Sequence, residues 1–239
     1  LADGGHDVRV MSRRQRSGGE RRQPVVADLA TGAGVADAVR GADVVVHCAT
    51  SPFRRMQQVD VEGTRRLVAA AHVAGAAHLV YVSIVGIDRQ PLGKLNYYGV
   101  KLACERIVEE SGLPFTILRA TQFHDLIHLM LKPLSKLPVV PVSRGFQFQP
   151  VHAPEVAMRL AELVARGSSG RVADMGGPQV RRLDDLARAY MHAIGKHRAV
   201  VEVPVPAPFA RGFREAQNCC PDHADGTVTW EQYLHHRLA

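Results

Sequence analysis

Along the first half of the chain, apolar residues gather into short runs, separated by segments in which they recur every three or four positions. Residues 24–28, 42–49, 77–83 and 114–119 are nearly continuous in valine, isoleucine and leucine, as in Val44-Val45-Val46 and Leu79-Val80-Tyr81-Val82. Residues 6–12 instead alternate polar with apolar. Unbroken β-branched runs of this length predict strands covered on both faces, as in a parallel sheet. Residues 35–40, 59–75 and 97–111 have helical spacing, with Leu67, Val68 and Ala71 on one face of the second and Leu102, Ile107 and Val108 in the third. Gly41, Gly75 and Gly112 close these helices, because glycine accepts the left-handed conformation that follows a last turn. The order β-α-β-α predicts a doubly wound parallel α/β sheet.

Beyond Phe123 the alternation stops. Pro133, Pro138, Pro141, Pro150 and Pro154 divide the chain into shorter pieces, among which the pattern predicts a helix over 154–166 and a strand over 171–175. A helix over 183–194 and a strand over 199–205 follow. The expected division is a core at 1–123 and a small C-terminal lobe, mostly substrate-binding, at 124–239. The opening Leu1-Ala2-Asp3-Gly4-Gly5-His6 reads as the tail of a helix entering a glycine cap. A first strand and its loop are therefore expected before it and are absent from this chain.

A length of 239 residues is enough for one substantial core with an appendage. With 46% hydrophobic and 22% charged residues, the composition is that of an ordinary folded protein. The net charge of +7 is spread along the chain without an aromatic platform, so no nucleic-acid partner is expected. Cys48, Cys104, Cys219 and Cys220 are too few and too irregular for a disulfide scaffold, which points to a reducing, cytoplasmic setting. No run of apolar residues is long enough to span a bilayer, so no membrane partner is expected. Cys219-Cys220-Pro221-Asp222-His223 and His235-His236 lack a second ligand cluster, and no metal site is expected.

In open α/β sheets ligands sit at the carboxyl ends of the strands. That rule selects Ser12 with Arg13, Asp28 with Leu29, Ala49 with Thr50 and Ser51, Ser83, and Ala120 with Thr121. The sharpest local signal is Tyr97-Tyr98-Gly99-Val100-Lys101, where Tyr97 and Lys101 share a helix face at i and i+4. An adjacent ammonium favours phenolate, which suits Tyr97 to general acid and base work on a carbonyl or alcohol, with Ser83 holding the substrate oxygen. Such a pair also occurs by chance in many helices. Its place directly after a strand ending in serine and a loop at 86–96 is what raises it.

Several segments together resemble the short-chain dehydrogenase/reductase superfamily, in its atypical branch similar to NmrA-like and NAD(P)H-binding epimerase-like proteins. They are Gly41-Ala42-Asp43-Val44-Val45-Val46-His47-Cys48-Ala49, the stretch from Val61 to Ala71, Leu79-Val80-Tyr81-Val82-Ser83, the stretch from Tyr97 to Lys101, and the stretch from Gly112 to Phe123. The tail Cys220-Pro221-Asp222-His223-Ala224-Asp225-Gly226 carries it as well. The resemblance implies a Rossmann-like fold, a catalytic set of Ser83, Tyr97 and Lys101, and a hold by Lys101 on the nicotinamide ribose. Asp60 stands where relatives often have asparagine. The family's glycine-rich turn has no counterpart, and Gly32 and Gly34 lie in the wrong place to replace it.

Arg13, directly after the first strand, occupies the place for the 2′-phosphate of NADP, where NAD binders present a carboxylate. NADP is therefore expected, with NAD the alternative. Asp28 and Leu29 would lie beside the adenine, Ala49, Thr50 and Ser51 beside the ribose and phosphates, and Ala120, Thr121 and Phe123 near the nicotinamide. Gln122 and His124 are candidates for a small-molecule substrate. His124 and His128 share a helix face that would line a pocket or lie on the surface, and the apolar residues 126–131 would cover a substrate cleft. Two functions stay open: an NAD(P)-dependent oxidoreductase or epimerase, or a non-catalytic NADP(H) sensor or scaffold subunit with a protein partner.

Overall fold

The computed structural model describes residues 1–52 and 54–238. Its first half runs β1 (Val8–Ser12), β2 (Arg22–Val26), α1 (Val35–Val39), β3 (Val44–His47), α2 (Glu62–Val73), β4 (His78–Ile84), α3 (Asn96–Glu109) and β5 (Phe115–Ala120). Then follow α4 (His124–Leu134), β6 (Val139–Ser143), β7 (Gln147–Phe148), α5 (Ala153–Arg166), β8 (Gly170–Arg171), β9 (Arg181–Arg182), α6 (Leu183–Ala193), β10 (Ala199–Val203), α7 (Phe209–Arg214) and α8 (Trp230–Leu238). The residues form two compact units whose chain segments alternate. The first takes 1–82, 100–117 and 160–171; the second takes 83–99, 118–159 and everything from 172 onward.

In the first unit the strand order is β3-β4-β5-β8, with β3 parallel to β4 and β5 parallel to β8. β1 and β2 form a separate parallel ladder, Val8 opposite Arg22. Among the described residues β1 and β3 thus have one strand neighbour each. One hydrophobic cluster serves both ladders: Val45, Leu79, Tyr81 and Ile117 of the strands pack with Ala38, Leu67, Ala71, Cys104 and Val108 of α1, α2 and α3. Each large side chain buried there contributes roughly 1.5–3 kcal/mol by leaving water. Val73, on the outer face of α2, stays exposed. Positive φ at Gly41, Gly75 and Gly112 confirms the helix ends that the sequence marks.

In the second unit Ile127 and Leu131 of α4 are buried while Leu129 and Met130 are exposed, so the apolar segment 126–131 turns only one face inward. β6 and β10 pair in parallel and β7 and β9 antiparallel. Phe146 stacks on Phe213 with ring centroids 4.9 Å apart, and the Trp230 indole N–H donates to Leu186 O at 3.0 Å, giving the buried ring its polar partner.

α4 runs one residue past Pro133, because a proline in the last turn forfeits a single hydrogen bond there. One expectation needs revising. The strand expected over 171–175 is reduced to β8 and an isolated bridge of Met175 to Ala120. Ile117 pairs with Arg171, so four residue steps on one side face three on the other, one too many for an unbroken ladder. Among the described residues no helix is long and apolar enough to cross a membrane.

Candidate functional site

The first unit gathers a buried polar cluster where β3 and β4 end. Lys101, on α3, is 3% exposed, and its ammonium donates to Val82 O at 2.8 Å and lies 4.2 Å from the centre of the Tyr81 ring. His47, the last residue of β3, is buried beside it: its Nε2 and Thr64 Oγ1 hydrogen-bond at 2.9 Å, and its ring lies 5.2 Å from that of Tyr81. Burial draws the Lys101 ammonium down to about 8, against the opposing pull of Cys104, Asp60, Glu105 and Cys48. Burial also takes His47 down to about 3, with the Lys101 charge adding to the effect. Between those two values the imidazole is neutral while the lysine is charged. Burial pushes the Cys104 thiol up, so it is neutral in the same range.

The loop after β3 is tied to the same cluster. A π-helical turn at Gln57–Val61 leads into α2 and carries Asp60, 1% exposed. Its Oδ1 accepts Thr50 Oγ1 at 2.5 Å and its Oδ2 accepts the Ser51 amide at 3.0 Å. After β1, Ser12 is half-buried with its hydroxyl donating to Arg14 O, and Arg13 is exposed. After β2, Asp28 Oδ1 accepts the Ala30 amide at 2.8 Å, and the Leu29 side chain lies in the hydrophobic cluster. Arg66 holds that turn by donating to the Leu29 and Ala30 carbonyls at 2.9 and 3.1 Å.

The second unit holds the other candidates. Ser83 is buried, and among the described residues its hydroxyl has no hydrogen-bond partner. Tyr97 is half-buried. Its neighbour Tyr98 is buried beside Phe213, and burial drives its hydroxyl well above the ordinary range, which leaves it a core residue. Ala120, Thr121 and Gln122 are buried. Gln122 Nε2 donates to Asn218 O at 3.1 Å, Asn218 Nδ2 donates to Gln147 O at 2.8 Å, and Gln149 Oε1 accepts the Cys220 amide at 2.7 Å. Arg89 donates to the carbonyls of Gln217 and Cys219 at 2.9 and 3.3 Å.

His124 is not on the surface. It is 1% exposed and stacks on Tyr233 and Trp230 with centroids 5.0 and 5.8 Å apart, near His152 at 6.0 Å. Burial, then the proximity of His152, lowers it to about 4. His128 packs against Tyr190 at 5.3 Å. The sequence pattern missed Asn218 and the Asp60 clip, which join residues far apart in the chain. It could have flagged His47, a polar residue closing an otherwise apolar run.

A family model described as NAD(P)H-binding matches residues 1–140, more than half of the chain. The chain belongs to the NAD(P)H-binding family. No curated protein matches it by sequence. Among solved structures, a likeness extends to the NADPH-dependent quinone oxidoreductase of Escherichia coli complexed with NADPH. The TM-score is 0.73 at 17% identity, over 92% of this chain and 85% of that one. A nucleoside-diphosphate-sugar epimerase from Staphylococcus aureus gives 0.72 at 13%, over 95% and 89%. A short-chain dehydrogenase/reductase superfamily protein from Agrobacterium tumefaciens with bound NAD gives 0.71 at 20%, over 99% and 90%. These likenesses establish the Rossmann-like fold.

For a member of the NAD(P)H-binding family, a dinucleotide is the group to test against these residues. The buried ammonium of Lys101, hydrogen-bonded to the Val82 carbonyl near the end of β4, is a donor that fits its ribose. The glycine-rich turn that cradles a pyrophosphate has no match in the sequence, so no residue is assigned to that part.

Proposed function

We propose that this chain binds NADP(H) and uses Tyr97 to move a proton to and from the oxygen of a small carbonyl or alcohol substrate, in an oxidoreductase or epimerase reaction. The bound cofactor would supply or accept the hydride at the adjacent carbon. In the reducing direction Tyr97 Oη gives its proton to the oxygen as the carbonyl becomes an alcohol, and in the oxidising direction it takes the proton back. Ser83 Oγ donates a hydrogen bond to that oxygen. The Lys101 ammonium orients the nicotinamide ribose and favours the phenolate of Tyr97.

The observation that carries this reading is the burial of Lys101. Removing an ammonium from water is costly, and a side chain held this way at a strand end is characteristic of a working site. Arg13 supports NADP over NAD, since an exposed guanidinium after β1 can meet a 2′-phosphate and no carboxylate adjoins it in sequence. Asp28 and Leu29 are assigned to the adenine, Ala49, Thr50 and Ser51 to the ribose and phosphates, and Ala120, Thr121 and Phe123 to the nicotinamide. Gln122 and His124 are assigned to the substrate lobe. The E. coli and A. tumefaciens proteins, crystallised with NADPH and NAD, lend the cofactor class further support.

The test is a fluorescence titration with NADPH and NADH, followed by a screen of quinones, aldehydes and ketones for NADPH consumption. Arg13→Ala should weaken NADPH binding about tenfold and leave NADH binding nearly unchanged. Tyr97→Phe should abolish turnover with nucleotide binding intact. Turnover persisting in Tyr97→Phe would remove the acid/base assignment, and nucleotide binding without turnover of any substrate would favour a sensor.

A further inference from the structure

We infer that the outer face of the β6–β10 ladder docks on an anionic phospholipid bilayer, its apolar side chains entering the interface while the cations around them meet the lipid headgroups. The inference lies wholly within the second unit and does not depend on the nucleotide reading. More than half of the exposed large apolar side chains among the described residues belong to α4, β6, β10 and the turn after α4. Parallel pairing sets Ala199 beside Val139, Val201 beside Pro141 and Val203 beside Ser143, and side chains two apart on a strand share a face. All but Ser143 are exposed, Val139 at 43% and Val201 at 47%. The alternate residues turn the other way: Val140 and Val142 are buried, and α6 packs against both strands. One face of the ladder is thus covered by a helix. The other presents valine and proline to water, where a sheet covered on one side ordinarily turns polar residues outward.

The charges at the ends of this face have one sign. Because the strands run parallel, Lys136 and Arg198, which lead into them, lie at the same end, and the Lys196 ammonium ties the two approaches together by donating to Ser135 O at 3.0 Å. At the other end Arg144 follows β6, its amide donating to Val203 O at 2.9 Å. Lys136, Arg144 and Arg198 are all exposed. Glu202, the one acid in the two strands, alternates to the covered side with its partner Val142 and accepts from Arg182 at 2.7 Å and from the Gly145 amide at 2.9 Å. Neither 126–154 nor 186–201 contains an Asp or Glu.

Size and charge select the occupant. Two five-residue strands present a face of on the order of 160 Å², from a rise of about 3.3 Å per residue and a spacing of about 4.8 Å. A stable protein–protein interface takes about 800 Å² from each partner. A second copy docked on the same face would also set these cations against their own counterparts. A bilayer with anionic headgroups suits both features, since it takes up a few apolar side chains at shallow depth and attracts each nearby cation. Such a contact needs no spanning segment.

The test is co-sedimentation of the full chain with vesicles of phosphatidylcholine alone, or mixed in equal parts with phosphatidylglycerol, at low and high salt. The protein should partition onto the anionic vesicles, far less onto the neutral ones, and should leave them as salt rises. Val201→Thr with Val203→Thr preserves strand shape and net charge and should weaken that partition about tenfold through the apolar surface lost. Lys136→Gln with Arg198→Gln should weaken it about thirtyfold and reduce its salt dependence. Arg14→Gln with Arg16→Gln removes the same charge from the first unit and should weaken it distinctly less. All these positions are exposed, and the thermal midpoint checks that each variant is folded. Undiminished binding by the threonine variant, or an equal loss in the Arg14 and Arg16 variant, would overturn the docking face, because net charge alone would then account for the binding. No binding to anionic vesicles at low salt would overturn it too. A dimer in sedimentation velocity that dissociates in the threonine variant would assign the face to a second copy and remove the bilayer.

Discussion

At the scale of single residues, buried titratable groups give the molecule a pH signature. His47 and His124, one in each unit, are held neutral by burial to about 3 and about 4. An unfolded histidine takes up its proton near pH 6.5, so below that value the unfolded chain binds protons that the folded chain refuses. Stability is therefore full above about pH 6.5 and is lost as pH falls toward the two folded values. His47→Gln removes one such contribution, and its midpoint of denaturant unfolding should fall less between pH 7 and 5 than that of the unsubstituted protein. An equal fall would show that His47 takes no part. Lys101 and Tyr97 were visible in the sequence because one helix turn separates them. The burial that makes Lys101 informative was not, since it depends on β3, β4 and α2 arriving around it. Nor was the Asp60 clip, which spans ten residues through a turn that no helical spacing announces.

At the scale of elements, two glycines with the same backbone sign serve different ends. Gly75, after α2, has φ of +72° and would find nothing within 4 Å of an added Cβ. Gly86, after β4, has φ of +85° and would place that Cβ 2.3 Å from Gln217 O, a backbone atom that cannot swing aside. Gly75→Ala should cost about 1 kcal/mol through backbone strain alone. Gly86→Ala should cost distinctly more, since strain and collision add, and should also loosen the Gln217–Cys220 segment that Arg89 holds. Parallel denaturant unfolding of the two variants tests the difference, and equal losses would contradict it. The regular elements of the first half were legible because each strand and helix carries its own apolar period. β7 and β9, two residues each, were not, because so short a strand exists only through a partner more than thirty residues away. α7 and α8 fall where prolines and charges obscure the period.

At the scale of the molecule, the two units do not correspond to two stretches of chain. The first unit needs residues 160–171, which supply the end of α5 and β8 to its sheet. A fragment ending at residue 123 should therefore fail to reach the native fold, and its amide NMR spectrum should lack the dispersion of the whole chain. A well-dispersed spectrum from that fragment would mean that the sheet holds without β8. The same threading constrains how this protein can change over generations. A replacement for the second unit cannot be acquired by one recombination event, because the segments that build it are interrupted several times by segments of the first. Change in that unit has to arise by point substitution in place, under the continuing requirement that every passage of the chain between the segments remain intact.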